Sequence, residues 1–268
     1  MIAHLINTDI GGRGVLELYL EYRKKNFKFL HNSAKMLLNN YENVLIVTGF
    51  PIPPMQQPET DGPPGALALY RAVEKLGGKA EIMTYPEVEK ALEPFHVRFI
   101  NRPDPSRYSL IISVETPGRA RDGKYYSMSG LEIRREPMDW VFIEADELGI
   151  PTVGIGDGGN EIGMGKIKGL IRKYVPFGER IASTVSTEEL ILSAVSNWGA
   201  YGLVAQASIE SGENLLKGWD EGGIIRAMVE GGLIDGVSKK INMSVDGICI
   251  EVHETMLALL KKMVLVYL

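Results

Sequence analysis

Asp157, Asn160 and Glu161 stand among six glycines in the stretch GIGDGGNEIGMG, residues 154–165. Glycine loses more conformational freedom on folding than any other residue, so a run this dense implies a tight bend or a close approach to something bound. The spacing G-x-G-x-x-G at 154–159 invites a dinucleotide reading, and Glu179 falls about twenty residues on, where a ribose-binding acid would be sought. Asp157, however, takes the place of a pyrophosphate, and two carboxylates repel an anion held by helix-terminal N–H groups. A cation suits them better. Asp157, Asn160 and Glu161 all offer hard oxygen ligands, which fit Mg²⁺ or Mn²⁺, and no His or Cys cluster suggests zinc. With a helix beginning near Asn160, Asp157 and Glu161 point to one side of it. The plainer alternative is that Asp157 caps that helix and Glu161 is solvated. Bare backbone at Gly156, Gly158 and Gly159 lets a bound cofactor come close.

Two further loops carry polar chemistry. In ETDGPPG, residues 59–65, Glu59 and Asp61 precede Gly62, Pro63 and Pro64. Prolines fix the backbone and remove donors, so this loop holds its acids stiffly, whether for a ligand or as the turn into a helix. In ETPGRARDGKYYSMSG, residues 115–130, Glu115 is followed by Arg119, Arg121, Asp122, Tyr125, Tyr126 and Ser127. An arginine fork binds a carboxylate or phosphate with two parallel bonds, so Arg119 and Arg121 are candidates to hold a small anionic substrate, an amino acid or a phosphorylated metabolite. The competing view is a surface hairpin at RDGK with solvated charges. DIGGRG, residues 9–14, offers Arg13 as a cation near a site or merely as the start of a helix. Asn197 in SNWGAYG needs a partner if buried, and His253 reads as a helix residue before a catalyst. No G-x-S-x-G elbow or Ser-His-Asp spacing is present, which disfavours acyl-enzyme chemistry.

The elements that must position these loops follow from hydrophobic periodicity. Residues 15–40 read as helical. NVLIVTGF, KAEIMTY, SLIISVE and PTVGIG are short apolar runs of the kind buried on both faces of a parallel sheet, with ERIASTV, residues 179–185, as a candidate fifth. Between them lie helices at ALALYRAVEKLGG, PEVEKALEPF and PMDWVFIEADELGI, the last with Pro137 as a first helical residue. STEELILSAVSNWGAYGLVAQASI, from 186, reads as one long buried helix with Ser186 and Glu189 as a capping box. Strands alternating with helices predict an α/β fold, a mostly parallel sheet with helices on both faces, over a single domain 1–268. In such Rossmann-like three-layer folds ligands sit beyond the carboxyl ends of the strands, and all three polar loops follow strands.

Composition bounds the rest. The 268 residues are 45% hydrophobic and 24% charged with a formal net charge of −5, the make-up of a globular protein with no basic footprint for nucleic acid. Cys249 is the only cysteine, so neither a disulfide framework nor a thiolate metal cluster is expected. The start MIAHLINTDIGGRG lacks the basic stretch and apolar core of a signal peptide, so a cytoplasmic location is the expectation. The apolar C-terminal segment MLALLKKMVLVYL is too short and too charged for a membrane span, and suits packing or self-association into a homo-oligomer.

Taken in order, TGFPIP, ETDGPPGA, GRARDGKYY, GDGGNEIGMGK, VSNWGAYGL and VDGI resemble the D-glutamate cyclase family, over nearly the whole chain and in the C-terminal part of its vertebrate members. That resemblance implies dehydration of D-glutamate to 5-oxo-D-proline. Such a ring closure needs an uncharged amine to attack a carboxylate carbon of the same molecule, so it needs a base and a cation to accept charge on the departing oxygen. On this reading Asp61, Glu115, Asp157 and Glu161 are candidate metal ligands, with Glu115, Asp157 and Glu161 also the candidate catalytic acids and bases. Arg119 and Arg121 grip the substrate, while Asp122, Tyr125, Tyr126, Asn160 and Asn197 position it. The same acids and arginines equally suit an Mg²⁺- or Mn²⁺-dependent phosphohydrolase, and a non-catalytic protein that binds a small acid is the third possibility.

Overall fold

A computed structural model describes all residues 1–268. Five parallel strands form the central sheet: β1 (Asn43–Thr48), β2 (Lys79–Met83), β3 (Leu110–Val114), β4 (Thr152–Gly156) and β5 (Glu189–Leu192), in the order β2-β1-β3-β4-β5. Strands β1, β3 and β4 are mainly apolar and buried along almost their whole length because both of their faces are covered. Alternate residues divide between those faces. Val44 and Ile46 of β1 and Ile112 of β3 enter a cluster of 58 buried side chains, whereas Leu45, Val47 and Ile111 enter one of 12. The deep face therefore carries most of the core, and the other is closed mainly by one helix.

On the deep face lie α1 (Val15–Lys25), α2 (Phe29–Asn39), α3 (Pro63–Lys75) and α7 (Ser196–Ser211), with α7 packed against α2 and α3. Helix α4 (Pro86–Leu92) follows β2, and α5 (Trp140–Leu148) covers the thin face through Val141, Phe142 and Ala145. Helices α6 (Lys168–Tyr174), α8 (Glu221–Glu230) and α9 (Ile250–Tyr267) follow, α9 packing on α7, and single helical turns lie at Ile2–Leu5 and Gly178–Ile181. No helix is long and apolar enough to cross a membrane. The three-layer α/β architecture expected from the sequence is the one observed.

Four local expectations are corrected. The segment 15–40 is two helices, because the Asn26 side chain donates to the carbonyl of Tyr22 at 3.1 Å and ends α1. ERIASTV is not a strand. The fifth strand is ELIL, and the long helix begins only at Ser196, so Ser186 and Glu189 form no capping box. An apolar run of this length is ambiguous until it finds a partner, and pairing of Val153–Gly156 with Glu189–Leu192 decides it. Helix α5 starts at Trp140 rather than at Pro137. Finally, no helix begins near Asn160: residues 157–164 are irregular, a single 3₁₀ turn spans Gly165–Ile167, and α6 starts at Lys168.

The strand order places a switch point between β1 and β3, where the chain leaves towards opposite edges of the sheet. The crevice beyond the carboxyl ends of those two strands is where ligands bind in open α/β sheets. Gly49, the Glu59–Asp61 segment and Glu115 all follow β1 or β3, and Asp157 follows the neighbouring β4.

Candidate active site

The 59–65 loop is locked into that crevice at both ends. Asp61 accepts backbone N–H groups from Ser196 and Asn197 at 2.9 and 2.8 Å, the first turn of α7. Gly62 has φ +97°, and a Cβ there would come within 2.8 Å of both Glu115 Cβ and Thr48 Oγ1, so only glycine fits. Glu115 itself sits at φ +45°, a left-handed conformation uncommon outside glycine, and it accepts the Ser196 hydroxyl on Oε2. The strand end is thus bent so that the carboxylate meets the other acids.

The glycine loop is organised by one of its own side chains. Glu161 accepts N–H groups from Asp157 and Gly158 on Oε1, at 3.0 and 2.6 Å, and from Gly159 on Oε2 at 2.6 Å. A carboxylate cradled by three backbone donors is what a glycine-rich bend permits. Asp157 and Glu161 are therefore brought together by a loop closing on its own acid, not by a shared helix face. The bare Cα of Gly158 lies close to Glu161 Oε1 and Asn160 Oδ1, since a Cβ there would meet them at 3.1 and 2.9 Å. Asn160 donates its amide to the Tyr126 carbonyl at 2.6 Å, while its buried Oδ1 has no partner.

The result is a cavity of about 250 Å³ lined by Glu59, Glu115, Asp157, Asn160 and Asp246, with Arg13 and Lys239 as its basic side chains. Asp61 and Glu161 are buried beneath it. Single carboxylate oxygens of Glu115, Asp157 and Glu161 lie within 4.8 Å of one another, and so do those of Asp61, Asp157 and Asp246. Arg13 grips Asp157 with Nη1 at 2.6 Å and Nη2 at 3.3 Å, and its Nη1 is also 2.5 Å from Asp246 Oδ2.

Six buried carboxylates with one paired arginine make ionisation costly. Burial first, then the charges of neighbouring acids, holds Glu59, Glu115 and Asp246 well above the usual carboxylate range, with Arg13 opposing the shift at Glu59 and Asp246. Burial and the Asp157 charge raise Asp61 and Glu161 to about 7, against the pull of the backbone N–H groups that each accepts. Burial disfavours the Arg13 charge, but Asp157 and Asp246 overcome it and hold the guanidinium firmly protonated. Either protons or cations must neutralise this pocket.

The four acids proposed from the sequence as metal ligands, Asp61, Glu115, Asp157 and Glu161, thus meet in one place, with Asn160 beside them. The loop after Glu115 does otherwise. Arg119 is tied to Asp139 through Nε and Nη2 at 2.8 and 2.9 Å, and Tyr125 donates to the same carboxylate at 2.9 Å. Neither lines the cavity. Arg121 and Asp122 are exposed, with Asp122 accepting the Lys124 N–H in a hairpin turn and the Tyr126 hydroxyl. Tyr126 reaches the site only through its carbonyl. Asn197 accepts N–H groups from Gly62 and Gly65 at 3.0 and 2.9 Å and donates to the Thr60 carbonyl, so its amide is spent on backbone. Gly156, Gly158 and Gly159 face Glu161, Met128 and Ile171 rather than an open cofactor cleft.

Sequence reasoning missed Asp246, Lys239 and the part of Glu59 at the cavity wall, and left Arg13 undecided. The signals were present but faint. VDGI contains Asp246, at φ +55° before Gly247, and the bare Cα of Gly236 is packed against the Glu59 carboxylate. Asp235 holds this far segment together, accepting Val237 and Ser238 N–H groups on one oxygen and Ser244 and Gly247 on the other.

Comparison with known proteins places this geometry in context. A family model described as D-glutamate cyclase-like, C-terminal, matches residues 2–261. The human protein named D-glutamate cyclase, mitochondrial, is 32% identical over 233 residues, which cover 74% of this chain and 37% of that protein. The chain spans little more than a third of that relative's length. Among solved structures, a crystal structure of exonuclease RecJ bound to manganese aligns over 75% of this chain and 42% of its own, at 12% identity and a TM-score of 0.39. That likeness carries no argument about chemistry.

Proposed function

The chain belongs to the D-glutamate cyclase-like C-terminal family, and on that footing we propose that its acidic cavity is the active site of a lyase closing D-glutamate into 5-oxo-D-proline. One observation carries the reading: six buried carboxylates converge beside the sheet's switch point on a cavity sized for a small metabolite. In this reaction the substrate ammonium gives up two protons as its nitrogen bonds to the side-chain carboxylate carbon. The departing oxygen takes up two and leaves as water. Nothing is oxidised and no co-reactant is consumed.

Glu115 suits the role of base. It lines the cavity, one of its oxygens is anchored by Ser196, and burial with the charges of neighbouring acids raises its affinity for a proton. The substrate's α-ammonium gives its first proton to this base before its nitrogen can attack. Glu59, at the cavity wall, is the second group able to carry a proton to the departing oxygen. Lys239 is placed to meet the substrate's other carboxylate, the task that the sequence assigned to Arg119 and Arg121.

The donor set fits a divalent ion. Asp157 with Glu115 and Glu161, or with Asp61 and Asp246, offers hard oxygens at close spacing, and the unpartnered Asn160 Oδ1 supports the assignment. Mg²⁺ or Mn²⁺ there supplies charge stabilisation for the substrate carboxylate. The decisive experiment measures 5-oxoproline release from both glutamate enantiomers, with added Mn²⁺ and with chelator. No release from either, alongside turnover of small phosphate esters, replaces this reading with a phosphohydrolase; retention of D-glutamate without turnover replaces it with a binding protein.

A further inference from the structure

Arg13 reaches the acids from an exposed stretch. Residues Ile10, Gly11, Gly12 and Gly14 are all exposed, and the Asp9 carboxylate fastens the turn by accepting N–H groups from Arg13, Gly14 and Val15 at 2.8, 2.8 and 3.2 Å. The Arg13 side chain is 21% exposed, while Asp157 and Asp246 are nearly sealed. Its fork satisfies Asp157 with two bonds but serves Asp246 poorly. Asp246 Oδ2 is buried and accepts no aligned hydrogen bond, although Arg13 Nη1 is 2.5 Å away.

We propose that the Asp61–Asp157–Asp246 triad is a cation position whose resting occupant is Arg13, and that a divalent ion enters it by displacing the guanidinium. This deepens the metal reading above and rests on it. Three carboxylate oxygens already lie within 4.8 Å of one another, a spacing that one small doubly charged ion satisfies better than a flat, singly charged fork that pairs with two of the acids and forms aligned hydrogen bonds with only one. Asn160, whose Oδ1 is buried and unpartnered, lines the same cavity as Asp157 and Asp246 and adds an independent oxygen donor beside the acids. Arg13 is the only arginine lining that cavity. Once displaced it becomes a guanidinium free at the cavity mouth, where an anionic substrate enters.

Two measurements on the full chain test this. In Mn²⁺ titration calorimetry, Arg13→Gln removes the competitor and is expected to tighten Mn²⁺ binding by about tenfold or more, with Arg13→Lys in between. In wild-type protein, which needs no variant to fold, Mn²⁺ is expected to speed tryptic cleavage after Arg13 relative to cleavage after the exposed Arg121. Equal Mn²⁺ affinity in wild type and Arg13→Gln, or Mn²⁺ protection of the Arg13–Gly14 bond, overturns the displacement while leaving the metal reading intact. Absence of Mn²⁺ binding in every variant overturns both.

Discussion

Asp61 and Asn197 each cap the helix that the other begins. Asp61, just before α3, accepts the first N–H groups of α7, and Asn197, at the start of α7, accepts those of Gly62 and Gly65 at the start of α3. Two helices are thereby pinned with their N-termini at the cavity floor, and the acid that joins them stays where the other carboxylates meet. Replacing Asn197 with Ala leaves the buried Gly65 N–H without an acceptor and the Gly62 N–H with Asp61 Oδ1 alone, at 3.1 Å, which costs about 1–3 kcal/mol. Urea denaturation measures it. A change within about 0.5 kcal/mol would mean that helix packing alone sets this junction.

Asp157 and Glu161 divide the work of the glycine loop. Glu161 holds three backbone N–H groups, whereas Asp157 faces Arg13 and the cavity. Glu161→Gln is expected to lose about 1–3 kcal/mol of stability because an amide nitrogen must face donors in the cradle. Asp157→Asn removes a charge that crowds Asp61, Glu115 and Asp246, so its stability should hold or rise. Asp157→Asn should abolish Mn²⁺ binding in calorimetry, whereas Glu161→Gln should weaken it only as far as the loop is disturbed. A stable Glu161→Gln protein together with an unfolded Asp157→Asn would reverse the assignment.

Arg119 is predicted to matter for folding and not for substrate affinity. Asp139 is wholly buried and receives two side-chain bonds and one backbone N–H bond from Arg119 and one bond from Tyr125. Arg119→Ala leaves that buried carboxylate without its counter-charge, with only a backbone N–H and the Tyr125 hydroxyl, and should lower stability by about 2 kcal/mol or more. The KM for the amino acid should stay within about twofold. A KM raised tenfold with unchanged melting would return Arg119 to the substrate.

Stability should respond to pH through two groups outside the cavity. Burial lifts Glu221 to about 7, although Trp219 and Tyr201 donate to it at 2.9 and 2.8 Å. Its unfolded value is lower, so the folded chain binds the extra proton in between. That contribution is complete below about 4.5 and is lost as pH rises through 7, a difference on the order of 3 kcal/mol. His253 has the opposite sign. Burial lowers it to about 4, with Trp198 donating to Nδ1 at 2.9 Å, so its contribution is complete above about 6.5 and lost on acidification towards 4. Glu221→Gln should flatten the fall in stability between pH 5 and 8, read by denaturant midpoints across that range. An unchanged slope would place the proton elsewhere.

Much of this protein is legible in its residues alone. NVLIVT, LIISV and TVGIG are buried on both faces, and an unbroken apolar run has no other good use in a chain of this composition. The acids of 59–61, Glu115 and Asp157 follow strands, and parallel strands deliver their following loops to one edge, so their meeting was implicit in the pattern. The oxygen-rich character of the loops was also legible, and the fold gathers their carboxylates within 4.8 Å in two groups of three. ELIL read as helix because its four residues fit either period, and only the edge of β4 gave it strand partners.

The tertiary structure alone decided which polar groups are free. Arg119 and Asn197 carry the right chemistry for a substrate, but Asp139 and the first N–H groups of α3 claim them first, and no local pattern announces a partner so distant in the chain. Asp246 and Arg13 come from opposite ends of the sequence, and the fold sets them 2.5 Å apart. A sequence fixes what each side chain can offer. Burial and competition among neighbours, which exist only once the chain is folded, fix which offers remain open.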